Sequence, residues 1–485
     1  MATVKALFCK TMSCSLALGA SVLLAQAPAP SANTAGQIRL SVAALNGSEP
    51  VPDLKADDFQ VSDQGKPQRI VFFRGKANAA APAPHEFSNR AGAPPHSTVI
   101  LFDLLNENQS DRQKVSRMVG RSLQQLESGD ALYFYLLTLE GNLSPIHAIG
   151  GKSGDDSTWT REIEKTLDKA MKAANHARPA QMNDMELVVK KTYVALETLA
   201  NQLAPLPGRR DIVWITNGMP NVWNTKTPCN GDWVDCALYV PHLSVTLEKD
   251  NVAVDPVSYT SSPNPDTTRD LEQLAGLTGG WTYMSDDIGA VLKEVARDAV
   301  SSYTICYDLP LDNWDSKFHK IRVTSERKGV KLRAAQRYYA FPDRRPETER
   351  QHTALAGAYQ SPYDYPDIGL RATIGSGADA GKALHLQIRI DPSDLMLHEG
   401  GGNFTGNLTL LVEDIGPAGP IGEPALTNSS IHLSREQRDA AMKEGIPIAQ
   451  DHPINNSIQK VRVIVLDQGS NTVGSLTIPV TEPRP

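Results

Sequence analysis

Between residues 96 and 300 the chain switches repeatedly between two hydrophobic periods, and this alternation narrows the available folds more than any other feature. His96-Ser-Thr-Val-Ile-Leu-Phe-Asp103 is a continuous apolar run closed by one carboxylate, the pattern of a strand buried on both faces. Gln109 to Leu126 follows with Val115, Met118, Val119, Leu123 and Leu126 at helical spacing. Ala131 to Leu139 reads as strand, Asn142 to Ile149 as an antiparallel edge, and 157–174 and 184–203 as helices. Beyond Pro207-Gly208-Arg209-Arg210 come a strand from Asp211 to Thr216, a helix over 239–250 and a strand from Val252 to Val257. A helix from Thr267 to Leu277, a strand from Trp281 to Met284 and a helix from Asp287 to Val300 complete the series. Strands alternating with crossover helices predict an α/β domain over 97–300, doubly wound on a mainly parallel sheet.

The flanks read differently. Ile38 to Leu45, Phe59 to Ser62 and Gln68 to Phe73 are short strands, and so are Ser302 to Leu309, Phe318 to Ser325 and Lys331 to Ala340. Neither set suffices for two packed layers, so 36–75 and 301–341 are expected to form one β-sandwich with the α/β domain inserted between its halves. Residues 76–96 and 342–365 lack a hydrophobic period and read as linkers. A C-terminal β-sandwich is expected over 366–482, interrupted by a helical turn or two from Ser434 to Lys443.

Residues 1–27 have the plan of an export signal: Lys5 and Lys10, an apolar stretch from Leu16 to Leu24, then Ala25-Gln26-Ala27. No later run is apolar enough to span a bilayer, so no transmembrane segment is expected after the signal is removed. A net charge of -7 without basic runs excludes nucleic acid as a partner, because phosphate binding needs clustered Lys and Arg. The segment Cys229-Asn-Gly-Asp-Trp-Val-Asp-Cys236 encloses turn-forming residues and is expected to close a disulfide in an oxidising compartment. Cys306 lies within a strand-like run and reads as a small buried hydrophobe.

Three segments together resemble von Willebrand factor type A domains: Val99-Ile-Leu-Phe-Asp-Leu-Leu-Asn106, Leu206-Pro-Gly-Arg-Arg-Asp-Ile-Val-Trp-Ile-Thr-Asn-Gly218 and Leu274-Ala-Gly-Leu-Thr-Gly-Gly280. With Tyr303-Thr304 and Phe318-His-Lys-Ile-Arg-Val323, they are similar to the exported bacterial subgroup common in Acidobacteria, over about residues 36–341. The resemblance implies partner binding through the top of the sheet and a metal held by Asp-x-Ser-x-Ser, a Thr and a later Asp. Asp103 matches the first Asp, but the Ser positions fall on Leu105 and Glu107, and the final Asp falls on Asn217. The loop 175–183, where the Thr is expected, contains none. Two readings stay open. Asp103, Asn106, Glu107 and Asn217 supply an alternative oxygen set for Mg²⁺ or Ca²⁺, or Asp103 caps the loop or helix that follows it.

Trp223 and Trp233 flank the Cys229–Cys236 loop and are candidate partner-binding anchors, or equally covers of the domain's own core. Gly375-Ser-Gly-Ala-Asp-Ala-Gly-Lys-Ala383 lacks the opening glycine and the hydroxyl of a phosphate loop, and reads as a hairpin connection. Neither a nucleophile elbow nor a His-Glu-x-x-His motif is present. The expectation is a secreted or periplasmic, non-enzymatic protein that binds a protein or cell-surface ligand. The alternatives are a hydrolase or other enzyme using Asp103, Glu107 and Asp255, or a structural envelope component.

Overall fold

The computed structural model describes residues 34–480 apart from 76–81, 84, 92–95, 108–111, 124–130, 150–164, 171, 173–184, 207, 219–238, 260–264, 311–312, 342–344 and 377–382. The chain divides into two compact units, one formed by 35–77 with 94–343 and the other by 1–34, 78–93 and 344–485.

The first unit opens with β1 (Thr34–Asn46), β2 (Glu49–Pro50), β3 (Phe59–Asp63), β4 (Lys66–Gln68) and β5 (Ile70–Arg74). These strands find most of their partners far along the chain. β1 lies between β13 (Ser302–Pro310) and β15 (Val330–Ala334), with Val42 opposite Ala334, and β5 takes the other side of β13. β3 pairs with β14 (Phe318–Ser325), which also carries β16 (Arg337–Tyr339). Segments 36–75 and 301–341 therefore share two sheets, packed over Ile38, Leu40, Phe59, Val61, Tyr303, Ile305 and Tyr307. In β3 the inward positions are Phe59, Val61 and Asp63, the period of a half-buried strand. A carboxylate in that core needs donors. Tyr307 and Tyr338 donate to Asp63 Oδ2 at 3.0 and 2.7 Å, and His319 links Tyr338 to Asp315.

Between these halves come β7 (His96–Asp103), α1 (Arg112–Leu123), β8 (Ala131–Leu137), β9 (Leu143–His147), α2 (Met185–Leu203) and β10 (Arg209–Ile215). They are followed by α3 (Tyr239–Lys249), β11 (Val252–Ser258), α4 (Pro265–Thr278), β12 (Tyr283–Met284) and α5 (Ile288–Val300). The six strands form one sheet in the order β12-β11-β10-β7-β8-β9, parallel except for β9. One face packs Val99, Leu101, Ile212 and Trp214 against Leu196, Leu247 and Leu274 of α2, α3 and α4. The other packs Ile100, Phe102, Val213 and Ile215 against Val119 of α1 and Val291 and Val295 of α5. Every residue of β7, β10 and β11 is buried, which is why their sequences are apolar runs rather than alternations.

The second unit contains β6 (Phe87–Ser88), α6 (Glu347–Gln360), β17 (Leu370–Ser376), β18 (Ala383–Ile390) and β19 (His398–Gly400). It continues with β20 (Asn403–Gly416), β21 (Gly419–Ser434), α7 (Arg435–Glu444), β22 (Ile446–Pro453), β23 (Lys460–Asp467) and β24 (Thr472–Pro479). One sheet runs β22-β18-β17-β6; in the other, β20 carries β21 on one side and β23 on the other. Their inner faces meet over Leu386, Ile388, Leu408, Leu410, Val463 and Leu476. β17 and β18 pair antiparallel with Ser376 opposite Leu384, and residues 377–382 of the run Gly375–Ala383 lie outside the described residues. Ser434 and Gln437 make a capping box at the start of α7, and Gly445, at φ 84°, ends it.

Two segments expected to be linkers are partly built into this unit. Within 76–96, β6 pairs with β17, and Arg90 binds Asp394 at 2.8 Å and the carbonyl of Pro366 at 2.7 Å. Within 342–365, α6 packs Ala354, Leu355, Ala358 and Tyr359 on Leu411, Ile464, Leu466 and Val473. Half of that face is alanine, which contributes little to a hydrophobic period, so the sequence shows no stripe there. Among the described residues no helix is long and apolar enough to cross a membrane.

Candidate functional site

The sheet reverses direction of growth at β7, because the chain adds β8 on one side and later β10 on the other. Ligands of open α/β sheets sit at the carboxyl ends of the strands beside such a switch point. Asp103 is the last residue of β7 and is fully buried there.

Strand register determines what surrounds it. Phe102 lies opposite Ile215, so the next step brings Asp103 beside Thr216, while Trp214 points to the same face of the sheet. Asp103 Oδ2 accepts hydrogen bonds from Asn106 Nδ2 at 2.7 Å, Trp214 Nε1 at 3.0 Å and Thr216 Oγ1 at 3.1 Å. Oδ1 accepts from the Asn106 backbone N–H at 3.0 Å, so the carboxylate caps its own loop. Burial pushes the Asp103 pKa up, and these donors pull it back.

The bracing extends outward. Asn106 Nδ2 also reaches Thr192 Oγ1 of α2 at 3.0 Å, and Thr192 is bonded in turn to the carbonyl of Val188. Glu107, buried, accepts a hydrogen bond from the Tyr259 hydroxyl just past β11. Three strand ends and one helix are thus tied together through Asp103, Asn106 and Glu107. Thr192, Trp214, Thr216 and Tyr259 were not singled out in the sequence. The ends of the apolar runs at Asp103, Thr216 and Val257 are visible in the sequence, but only the parallel register shows which of their polar groups meet.

Asn217 is half-buried at the start of the next loop, and Leu105 is buried in the core that carries Trp214, on the same face of the sheet. Trp223, Trp233, Cys229 and Cys236 lie outside the described residues. The donor set does not fit a hard divalent cation. Asp103 Oδ2 is already within hydrogen-bond distance of three donor groups, and Leu105, at a ligand position of the motif, offers no oxygen. Among the described residues no group of three or more His, Cys, Asp or Glu side chains is disposed to hold a metal.

Asp255 belongs to a different cluster. It projects to the face opposite Asp103, as the alternation of Val254 and Val257 between the two cores requires. Its Oδ1 accepts from the Trp281 N–H at 2.8 Å, a contact possible because residue 280 is glycine: a Cβ there would stand 2.0 Å from the Val254 carbonyl. Nearby, Arg209 Nε binds Asp211 Oδ1 at 2.8 Å, and Arg333 of the sandwich reaches Asp298 at 2.8 Å and Glu294 at 2.5 Å. Burial, reinforced by Asp211, pushes the Asp255 carboxyl well above the usual range, with Arg209 opposing; Asp211 is also raised by burial. Asp211 Oδ2, Asp255 Oδ2, Asp298 Oδ1 and Arg209 Nη1 have no hydrogen-bond partner among the described residues. Asp103, Glu107 and Asp255 therefore do not converge in one pocket.

No family model matches the chain, and no curated protein does.

Proposed function

We propose that this is an exported binding protein that engages a protein or cell-surface ligand through the carboxyl-end face of a von Willebrand A-like domain, without a metal. The observation that carries this reading is the braced rim at the switch point, where Asp103, Asn106 and Glu107 tie three strand ends to one another and to α2. Such a rim holds the strand ends themselves in fixed relation before a partner arrives, which lowers the ordering cost of binding there. The β-sandwiches act as spacers or secondary contacts, and the signal-like residues 1–27 support a periplasmic or extracellular location.

The test is affinity capture from envelope extract with wild type and with the double variant Trp223→Ala/Trp233→Ala, each with and without EDTA. Capture lost in the variant, and unchanged by EDTA, supports the reading. Equal capture by both proteins overturns the assignment of the face, and loss in EDTA overturns metal independence. Calorimetric titration with Mg²⁺ and Ca²⁺ checks the second point directly, with no heat at millimolar metal expected.

A further inference from the structure

From the free edge of β21 we infer that two copies of this chain pair antiparallel about Ser429, joining their C-terminal sandwiches into one continuous sheet. Among the described residues β21 is bonded only to β20, so its other side is an open edge among them. Which residues point outward follows from the ladder on the far side of β20. The carbonyl of Asn407 accepts from Gln468 N at 3.0 Å, so Asn407 faces β23 and Leu408 faces β21. Leu408 lies opposite Ser429. The backbone groups of Leu426, Asn428, Ser430 and His432 therefore point away from β20, and all four residues are exposed.

Open edges are normally blocked by charge, proline or a bulge. β21 has those devices only at its first end: Pro420, Glu423, Pro424 and the irregularity opposite Val412 and Asp414. From Ala425 to Ser434 there is no proline, no acidic residue and neither Lys nor Arg.

The side chains select the partner. Asn428 Oδ1 already accepts from Thr409 Oγ1 at 2.9 Å and Gln468 Nε2 at 3.3 Å, which leaves the amide hydrogens of Asn428 to donate. The Ser430 hydroxyl donates to Asn407 Oδ1 at 2.8 Å, which leaves its lone pairs to accept. In an antiparallel pairing centred on Ser429, residue 428 of each copy faces residue 430 of the other, and 426 faces 432. All four are outward-pointing positions, so the register that satisfies the backbone also sets the Asn428 donor opposite the Ser430 acceptor, twice. Leu426 lies against the His432 ring in the same arrangement. A sequence that complements itself in this way fits a second copy of the same strand.

The experiment uses the full mature chain. Sedimentation should give the mass of two chains at tens of micromolar for wild type. Ser430→Pro, which removes the outward N–H together with the hydroxyl bonded to Asn407, and Asn428→Lys should both give the mass of one chain that still unfolds cooperatively on heating. Ser429→Cys tests register separately, since the two-fold brings residue 429 against itself: it should form a disulfide-linked dimer on mild oxidation, whereas wild type and Thr427→Cys should not. A monomeric wild type at all concentrations, a dimer that survives Ser430→Pro, or crosslinking through Thr427→Cys rather than Ser429→Cys would each overturn the inference.

Discussion

The indole N–H of Trp214 donates to Oδ2 of Asp103 across 3.0 Å, linking adjacent strands inside the buried face that carries α2, α3 and α4. A tryptophan in such a core needs a partner for its one polar atom, and a buried carboxylate needs donors, so each residue accounts for the other.

Trp214→Phe keeps the apolar packing and removes one of the donors to a buried charge. The expected cost is about 1–3 kcal/mol, read as a lower midpoint in guanidinium with unchanged slope. A change below the error of the measurement would mean that the carboxylate does not depend on this bond.

The cluster around Asp255 implies a pH dependence of definite sign. Asp211 and Asp255 have carboxyls raised above the usual range by burial. The folded state therefore holds protons that the unfolded chain releases, and their contribution falls as pH rises from the ordinary carboxylate range, about 4, through the folded values. Asp255→Asn removes one such group while keeping an oxygen for the Trp281 N–H. The stability curves of wild type and of the Asp255→Asn variant should agree in acid and separate toward neutral pH, with the variant more stable by on the order of 1 kcal/mol. Parallel curves across this range would contradict the assignment.

Glu107 and Tyr259 join the loops after β7 and β11. In Tyr259→Phe the backbone amide of Asn106, which is bonded to Asp103 Oδ1, should exchange with deuterium faster. Global stability should fall by only about 1 kcal/mol. Unchanged exchange at 104–107 would show that Asp103 holds its loop alone.

Arg333 connects the sandwich to α5 through Glu294 and Asp298, and its guanidinium lies 5.3 Å from the centre of the Trp281 ring. Arg333→Met leaves Asp298 without its cation and should destabilise the first unit by about 2–4 kcal/mol. Arg333→Lys should recover only part of this, because a point charge cannot reach both carboxylates and stack on the ring.

The alternation of apolar runs and helical periods was sufficient to locate β7, β10, β11 and their helices, since strands buried on both faces leave an unmistakable composition. Pairing of β1 with β13 and β15 was legible only indirectly, from the shortage of strands on each side of the inserted domain. Asp103 stood out because it closes an apolar run. Trp214, Thr216 and Thr192 did not, because their roles come from strand register and from a helix more than eighty residues away in sequence. The face of α6 was hidden for the opposite reason, since Ala354 and Ala358 bury too little area to mark a stripe.

Val42 of β1 lies opposite Ala334, so the first strands of the chain wait for almost the last segment of their unit. Synthesis, amino end first, releases β1 to β5 long before β13 to β16 are available. Until then the apolar inner positions of β1 and β3 have no cover, while the α/β insert can fold at once from near neighbours. Folding of this unit is therefore expected to be slow and late, limited by closure of the sandwich, and to call on holding chaperones for the leading strands.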